Sequence, residues 1–493
     1  MTGKVYLIGA GPGDVGLMTC RARELLAQAE VVVYDALVGD AVLSLVPPEA
    51  ECINVGKRAG NHTRSQWQIN EILLEQALKG RMVVRLKGGD PFLFGRGGEE
   101  LELLHQNGVP YEIVPGITSA IAVPAYSGIP VTHRDFCSSV HIITAHKKKD
   151  QPLDIDFEAL VRTRGTLVFL MGVTALKAIC EGLLAAGMNP DMPAAVLHRG
   201  TSAYQKRVVA TVSTLPEAAA AMEAPSIIVV GKVCALAEEF AWAENRPLFG
   251  KRFLVTRPRE RASELTRRLR ELGAEVVEFP TMQTRALPEA SLEALANCSW
   301  LVFTSPSGAS AFFQVLKAQR RDIRCLANLR IAALGPGTAK ELEKRDIFPD
   351  VVPETYDAQG LAKALTEQLQ PGDRVFLPCA AGETPGLKKY LTDLPGVEIA
   401  AVSVYEKTNT IPPILKPMEL LDERTWAIFA SGSAVRGFAA AAGQENLSQV
   451  RALCIGAQTK AQAEQYHMHT KTAKTATLDG LVALALDCDK EEV

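Results

Sequence analysis

Short apolar runs recur along this chain at intervals filled by amphipathic stretches, and that alternation constrains the fold more than any other feature. Within residues 4–115, "KVYLI", "VVVYD", "RMVVRL" and "YEIVP" are separated by stretches such as "CRARELLAQAE" and "SQWQINEILLEQALKG". Strands that alternate with helices predict an α/β fold, here a mostly parallel sheet with helices on its faces. After "PGITSAIAVPAYSGIP" the pattern resumes with "SVHIITAH", "GTLVFLMG", "AAVLHRG" and "PSIIVVGKV", predicting a second α/β domain over 116–240. The segment "WAENRPLFGK" (242–251) carries Pro247 and Gly250 and gives way to a new strand, "RFLVTRP", so the main boundary is expected there.

The totals narrow the class. A chain of 493 residues exceeds one ordinary core, and its 47% hydrophobic and 22% charged residues are those of a globular protein. A formal net charge of −3 gives no bulk attraction for nucleic acid, and no nucleic-acid partner is expected. The ten cysteines lie far apart without a C-x-x-C pair, which argues against a zinc ribbon, an iron–sulfur site or a disulfide framework. The opening "MTGKVYLIGAGPG" enters a strand directly, and no run of about 18 apolar residues occurs, so a cytoplasmic protein without a membrane partner is expected. His467 and His469 in "QYHMHT" form an H-x-H pair, expected to lie on one face of an exposed strand; no third ligand is near, and no metal site is expected. "HKKKD" (146–150) is expected to be a solvated loop.

The second half contains an internal duplication. "WLVFTSPSGASAFF" (300–313) resembles "WAIFASGSAVRGFA" (426–439), "IAALGPGTAKEL" (331–342) resembles "ALCIGAQTKAQA" (452–463), and "YDAQGLAKAL" (356–365) resembles "ATLDGLVALA" (476–485). Gly335 and Gly456 are 121 residues apart and Gly360 and Gly480 are 120 apart, an offset too long for a solenoid repeat and right for a pair of similar domains. In each copy a strand ends at Ser and Gly residues that open a helix, an arrangement suited to an anionic ligand. Two facing α/β lobes with a cleft between them are expected.

The stretch "VYLIGAGPGDVG" (5–16) carries Gly11, Gly13 and Gly16 in a G-x-G-x-x-G spacing, and Asp35 follows about 20 residues later, as in a dinucleotide fold. Pro12, however, occupies the loop without an N–H to offer a pyrophosphate. Other segments are equally dense in glycine and proline: "VGKRAGNHT" (55–63), "RLKGGDPFLFGRGGEE" (85–100), "VPGITSAIAVPAYSGIPVTHRD" (114–135) and "FLMGV" (169–173). With the opening loop, this set resembles uroporphyrinogen-III C-methyltransferase of the tetrapyrrole (precorrin) methyltransferase family, over roughly residues 3–240. The resemblance implies a two-domain fold with S-adenosyl-L-methionine held between the domains. By motif position it implies donor contacts from Pro12, Gly88, Gly89, Asp90, Leu93, Thr118, Ser119, Met171 and Gly200. Asp35 matches the family's proposed proton acceptor and Lys57 its proposed proton donor. Each has a plainer role: a turn or helix cap for Asp90 and Asp35, and a solvated loop charge for Lys57. Two departures stand out, Ala36 where many members carry arginine, and His198–Arg199 in "LHRGT" where "ENGT" is frequent.

Residues 251–490 resemble uroporphyrinogen-III synthase through "RFLVTRPRERASELTRRLRELGAEVVEFPTM", "FTSPSG", "ALGPGTA", "VPETYDAQGL", "VFLPCAAGE", "VSVYEKT" and "IFASGSAV". That family's two lobes imply lobe one from 251–282 plus 409–490 and lobe two from 283–408. The substrate carboxylates would suit backbone N–H groups near Ser305, Ser307, Thr338, Ser431, Ser433 and Thr459, all of which serve equally as helix-start residues. Tyr405 matches the family tyrosine thought to help hydroxide depart, and is otherwise a half-buried strand tyrosine.

Together these resemblances imply a fused enzyme: a methyltransferase over 1–244, a linker over 245–250 and a synthase over 251–493. It would cyclise hydroxymethylbilane to uroporphyrinogen III with ring inversion and methylate that product twice, giving precorrin-2 for sirohaem or cobalamin biosynthesis. A homodimer through the methyltransferase half is implied. The alternatives are an NAD(P)-dependent oxidoreductase with an unrelated C-terminal module, and a non-catalytic tetrapyrrole-binding protein.

Overall fold

Four five-stranded sheets carry the chain in a computed structural model that describes residues 2–56, 64–145, 153–257, 259–382, 386–392, 394–409, 414–443 and 446–489. Lys57 and the 146–150 segment lie outside the described residues. The first sheet comprises β1 (Lys4–Gly9), β2 (Val31–Tyr34), β3 (Glu51–Asn54), β4 (Met82–Lys87) and β5 (Tyr111–Val114) in the order β3-β2-β4-β1-β5. Every pairing is parallel. Strands covered on both faces read as unbroken apolar runs, and all four residues of β2 are buried, whereas the edge strand β3 has no buried residue and gave no such run. Parallel neighbours need crossovers, supplied by helices such as Gln66–Leu78, whose start is fixed by a capping box between Ser65 and Gln68.

The second sheet comprises β6 (Val140–Thr144), β7 (Thr166–Leu170), β8 (Pro193–His198), β9 (Lys206–Thr211) and β10 (Ser226–Val230) in the order β6-β7-β10-β8-β9. Only β6 and β7 are parallel; β10 runs antiparallel to β7 and β8, and β8 to β9. The apolar runs did not reveal this direction change. They also missed β9, an edge strand with no fully buried residue.

Next come β11 (Arg252–Val255), β12 (Glu275–Glu278), β13 (Met282–Ala286), β14 (Trp300–Phe303), β15 (Arg330–Ala333), β16 (Arg374–Ala380), β17 (Glu398–Asn409), β18 (Thr425–Phe429), β19 (Arg451–Cys454) and β20 (His469–Thr472). They form two sheets, β12-β11-β18-β19-β20 and β13-β17-β16-β14-β15. The first is wholly parallel, and in the second only β13 is antiparallel, against β17. The chain thus leaves one sheet after β12 and returns to it at β18. Residues 1–281 and 411–493 make one compact unit and 282–410 another.

The duplicated segments fold alike. Ser305 and Ser431 each cap a helix, with φ of −157° and −166° and a side-chain oxygen accepting from the residue three places on. Gly335 and Gly456 open the next helices at φ of −173° and −170°. Asp357 and Thr477 cap the third pair, and a Cβ on Gly360 or Gly480 would lie 2.2 or 2.1 Å from the carbonyl oxygen of Thr355 or Thr475. The H-x-H pair differs from expectation: His467 sits in a turn with φ of 62°, and only His469 enters β20. A left-handed residue ends the strand pattern between them. All ten cysteines are free thiols. Among the described residues, no helix is long and apolar enough to cross a membrane, and no group of three or more His, Cys, Asp or Glu could hold a metal ion.

Candidate active sites

The C-terminal ends of β1, β4 and β5 bring three glycine loops together. Ala10 N–H donates to the Lys87 carbonyl at 2.7 Å, and Gly11 and Gly89 exchange backbone bonds of 3.2 and 2.7 Å. The backbones approach so closely that side chains are excluded: a Cβ on Gly9 would lie 2.5 Å from the Gly116 Cα, and one on Gly116 would lie 2.2 Å from the Gly89 oxygen. In open parallel sheets, ligands bind beyond this end of the strands. Pro12 sits between two glycines of positive φ, Gly11 at 74° and Gly13 at 141°.

Asp90 organises the loop after β4. Its Oδ1 accepts from the N–H groups of Phe92 (2.8 Å) and Leu93 (3.1 Å), and its Oδ2 accepts from Gly116 N–H (3.0 Å). The carboxylate therefore holds the turn and ties it to the loop after β5. Thr118 caps the helix Ser119–Tyr126, and both Thr118 and Ser119 border the space a Cβ on Gly89 would enter. Gly88 abuts Leu37 in the loop after β2. Gly200 packs on Val123 of the Ser119–Tyr126 helix, and the neighbouring Thr201 hydroxyl accepts from Asp14 N–H at 3.3 Å. The structure thus joins the loops carrying Pro12, Gly88–Leu93, Thr118–Ser119 and Gly200. Met171 closes β7 with φ of 56° and is 51% exposed.

Asp35 ends its strand with one oxygen in a turn, accepting from Leu37 N–H (3.1 Å), and the other on Arg85 Nη2 (3.2 Å). Behind it lies a charge cluster that the sequence reading did not single out. Arg85 and Lys87, both buried on β4, donate to the same oxygen of Glu100, at 3.1 and 2.7 Å, and Glu100 is 0% exposed. Burial, and then the Arg85 cation, hold the Lys87 ammonium below the ordinary lysine range. Two carboxylates facing two cations make the cluster neutral, the condition under which buried charge is tolerated. Its sequence signal was the alternation Arg-Leu-Lys inside an otherwise apolar strand, which puts both cations on one face.

In the second half, Ser431 accepts from Ala434 N–H at 3.3 Å, and its hydroxyl lies 2.9 Å from that of Ser433. Thr459, in the first turn of Ala457–Glu464, is buried. In the 282–410 unit, Ser305 accepts from Gly308 N–H (3.0 Å), Ser307 lies in the same first turn, and Thr338 is buried in the helix Pro336–Glu343. Tyr405 of β17 is 5% exposed, its ring 3.5 Å from where a Cβ on Gly308 would stand. Tyr405 and the Ser305 helix start therefore belong to one neighbourhood. The oxygens of Ser305 and Ser431 accept as helix caps, and the free backbone N–H groups of these helix starts can donate to an anion.

Two families of known proteins match separate parts of the chain. Residues 4–216 match the family model of tetrapyrrole (corrin/porphyrin) methylases, and residues 263–483 match that of the uroporphyrinogen-III synthase HemD. The chain is 42% identical to the porphyrin biosynthesis protein HemD of Ruminiclostridium josui over 494 residues, covering 98% of each. It is 41% identical over 349 residues to the uroporphyrinogen-III C-methyltransferase of Bacillus subtilis, covering 70% of this chain and 72% of that one. A Thermus thermophilus uroporphyrin-III C-methyltransferase structure, complexed with S-adenosyl homocysteine, is 39% identical, with a TM-score of 0.42 over 47% of this chain and 99% of that one. The chain belongs to the family of porphyrin biosynthesis proteins that join a tetrapyrrole methylase to a uroporphyrinogen-III synthase, and it is a bifunctional enzyme of tetrapyrrole biosynthesis.

Proposed function

We propose that the N-terminal part transfers two methyl groups from S-adenosyl-L-methionine to uroporphyrinogen III, giving precorrin-2, and that the C-terminal part makes uroporphyrinogen III from hydroxymethylbilane. Backbone-lined glycine loops converge at the C-terminal ends of β1, β4 and β5, with the Asp35 carboxylate at the neighbouring end of β2, and this convergence supports the methyl transfer. Those loops fit a donor held mainly by main-chain groups, since any Cβ at Gly9 or Gly116 would collide with backbone. The bound donor supplies an electrophilic methyl on a sulfonium. The chain's part is to hold a pyrrole carbon in line with that methyl and to receive the proton lost afterwards. Asp35, oriented by Arg85 and by Leu37 N–H, is assigned the proton, and Gly88, Gly89, Thr118, Ser119 and Gly200 the donor's contacts. Asp90 and Leu93 shape the loop that carries Gly88 and Gly89, Pro12 and Met171 complete the set by resemblance, and Lys57 is assigned the role of proton donor on the same ground. Leu37, at 65% exposed, and Phe92 and Phe94 offer apolar surface from the same loops to a flat macrocycle.

In the C-terminal part, backbone N–H groups at the Ser305–Ser307, Thr338, Ser431–Ser433 and Thr459 helix starts are assigned the bilane carboxylates, and Tyr405 the departing hydroxide. Holding the chain for attack with ring inversion is a positioning task. A cytoplasmic homodimer through the methyltransferase part completes the reading.

Calorimetric titration of the intact protein with S-adenosylmethionine and with NAD(P) tests the cofactor. Saturable binding of the methyl donor alone is expected. Tight nicotinamide binding without methyl-donor binding would reverse the assignment.

A further inference from the structure

The first synthase sheet is not tethered to the methyltransferase by a free linker; the two share a core. Val42 and Val46, which follow the Asp35 loop, belong to one apolar cluster with Val277, Phe279, Leu415 and Leu420, and the short helix Asp40–Leu43 packs on β12. At the centre of this junction lies Arg252, the first residue of β11, 4% exposed in its side chain. It ion-pairs with Asp40, lies 3.3 Å from Glu275, and donates to the Tyr204 hydroxyl at 3.3 Å. Tyr204 in turn donates to Asp422, and its ring carries the guanidinium groups of Arg252 and Arg424 at 5.9 and 5.2 Å. Ala203 is held from both sides, its N–H by Glu275 (2.9 Å) and its carbonyl by Arg424 (3.1 Å). Burial opposes the charge on Arg252, yet Glu275 and Asp40 outweigh it and hold the group firmly protonated.

Two loops of the candidate methyl-transfer site thus end on synthase residues. One runs from Asp35 to Asp40, the other from Gly200 to Tyr204. Building on the assignment of Asp35 and Gly200 above, we propose that Arg252, a residue of the synthase region, is a positioning residue of the methyltransferase: by gripping Asp40 and Tyr204 it sets the placement of the Asp35 and Gly200 loops, so that methyl transfer in this chain depends on its synthase lobe. Misplacement of reacting groups by an ångström lowers rates by as much as about a hundredfold, so small shifts at these loops matter.

The test uses the full chain supplied directly with uroporphyrinogen III, which bypasses the synthase reaction. Asp40→Asn removes the ion pair from the partly exposed end and leaves Arg252 its Glu275 partner, so folding is expected to survive. Hydrogen exchange across 35–46 should quicken, and methylation kcat should fall by roughly tenfold. Asp40→Glu should restore kcat. Asp479→Asn, which removes an exposed ion pair with Arg268 elsewhere in the same sheet's layer, should change neither. Tyr204→Phe should raise the KM for S-adenosylmethionine more than it lowers kcat, because it loosens the Gly200 side. Unchanged exchange in Asp40→Asn, faster exchange with unchanged kcat, or an equal loss in Asp479→Asn would each overturn the proposal. Asp35→Asn is measured alongside: full methylation by that variant refutes the role of Asp35 itself, while the Asp40 series still reports on the junction.

Discussion

Asp90 places three backbone N–H groups around one carboxylate, which makes it the residue whose loss most directly loosens the loop assigned to the methyl donor. Hydrogen bonds to a charged acceptor are worth about 1.5–3 kcal/mol each, and they are partly shared here with solvent. Asp90→Ala is expected to lower stability by about 2 kcal/mol and to weaken S-adenosylmethionine binding at least about tenfold, read by chemical denaturation and calorimetry. Unchanged affinity would remove Asp90 from the site. Lys87 gives a pH signature. Its proton is held less tightly in the folded chain than in the unfolded one, so the group's contribution to stability rises with pH between its depressed value and the ordinary lysine range. The stability difference between the natural protein and Lys87→Met should therefore shift in favour of lysine as pH climbs through that window, measured by urea denaturation at several pH values. A flat difference would mean that Lys87 titrates as a free lysine. At Tyr405, a phenylalanine keeps the packing against the Ser305 helix start and removes only the hydroxyl; a fall in synthase kcat with unchanged stability is the expected result.

At the scale of elements, the duplicated strand–helix units share a lock at Gly360 and Gly480, where the helix start presses against a carbonyl two residues before the capping residue. A methyl group there meets backbone rather than a movable side chain. Gly360→Ala and Gly480→Ala should each cost about 1–3 kcal/mol, whereas Gly372→Ala, which meets nothing within 4 Å, is penalised only by its φ of 99°. The sequence made these units legible because the glycine, its capping residue and the following apolar stripe repeat together. The first sheet was legible in β1, β2, β4 and β5, since buried parallel strands leave apolar runs such as "VVVYD", but not in β3, which has no buried residue. Strand direction in the second sheet was not, because an apolar run reads the same whichever way it points. Within the candidate site, the glycine loops announced themselves by composition. The Arg85–Glu100–Lys87 cluster left only the Arg-Leu-Lys alternation as a signal, because the burial of those cations depends on Glu100, which no local pattern pairs with them. Arg252 did not announce itself: its role rests on Asp40 and Tyr204, which no local pattern connects to it.

On the scale of the whole molecule, the shared core around Val42, Val46, Val277 and Phe279 implies that the chain cannot be divided at residue 250 without exposing apolar surface. Each of these side chains contributes about 1.5–3 kcal/mol on burial. A fragment of residues 1–250 should therefore melt below the methyltransferase transition of the intact chain and associate more readily, as scanning calorimetry and light scattering would report. Equal melting behaviour would mean that the junction contributes little. One chain is proposed both to close and to methylate the macrocycle. Incubating the intact protein with hydroxymethylbilane and S-adenosylmethionine, and identifying the product by chromatography and mass, tests this: a dimethylated type III tetrapyrrole is the expected product, whereas unmethylated type III or type I alone would refute it.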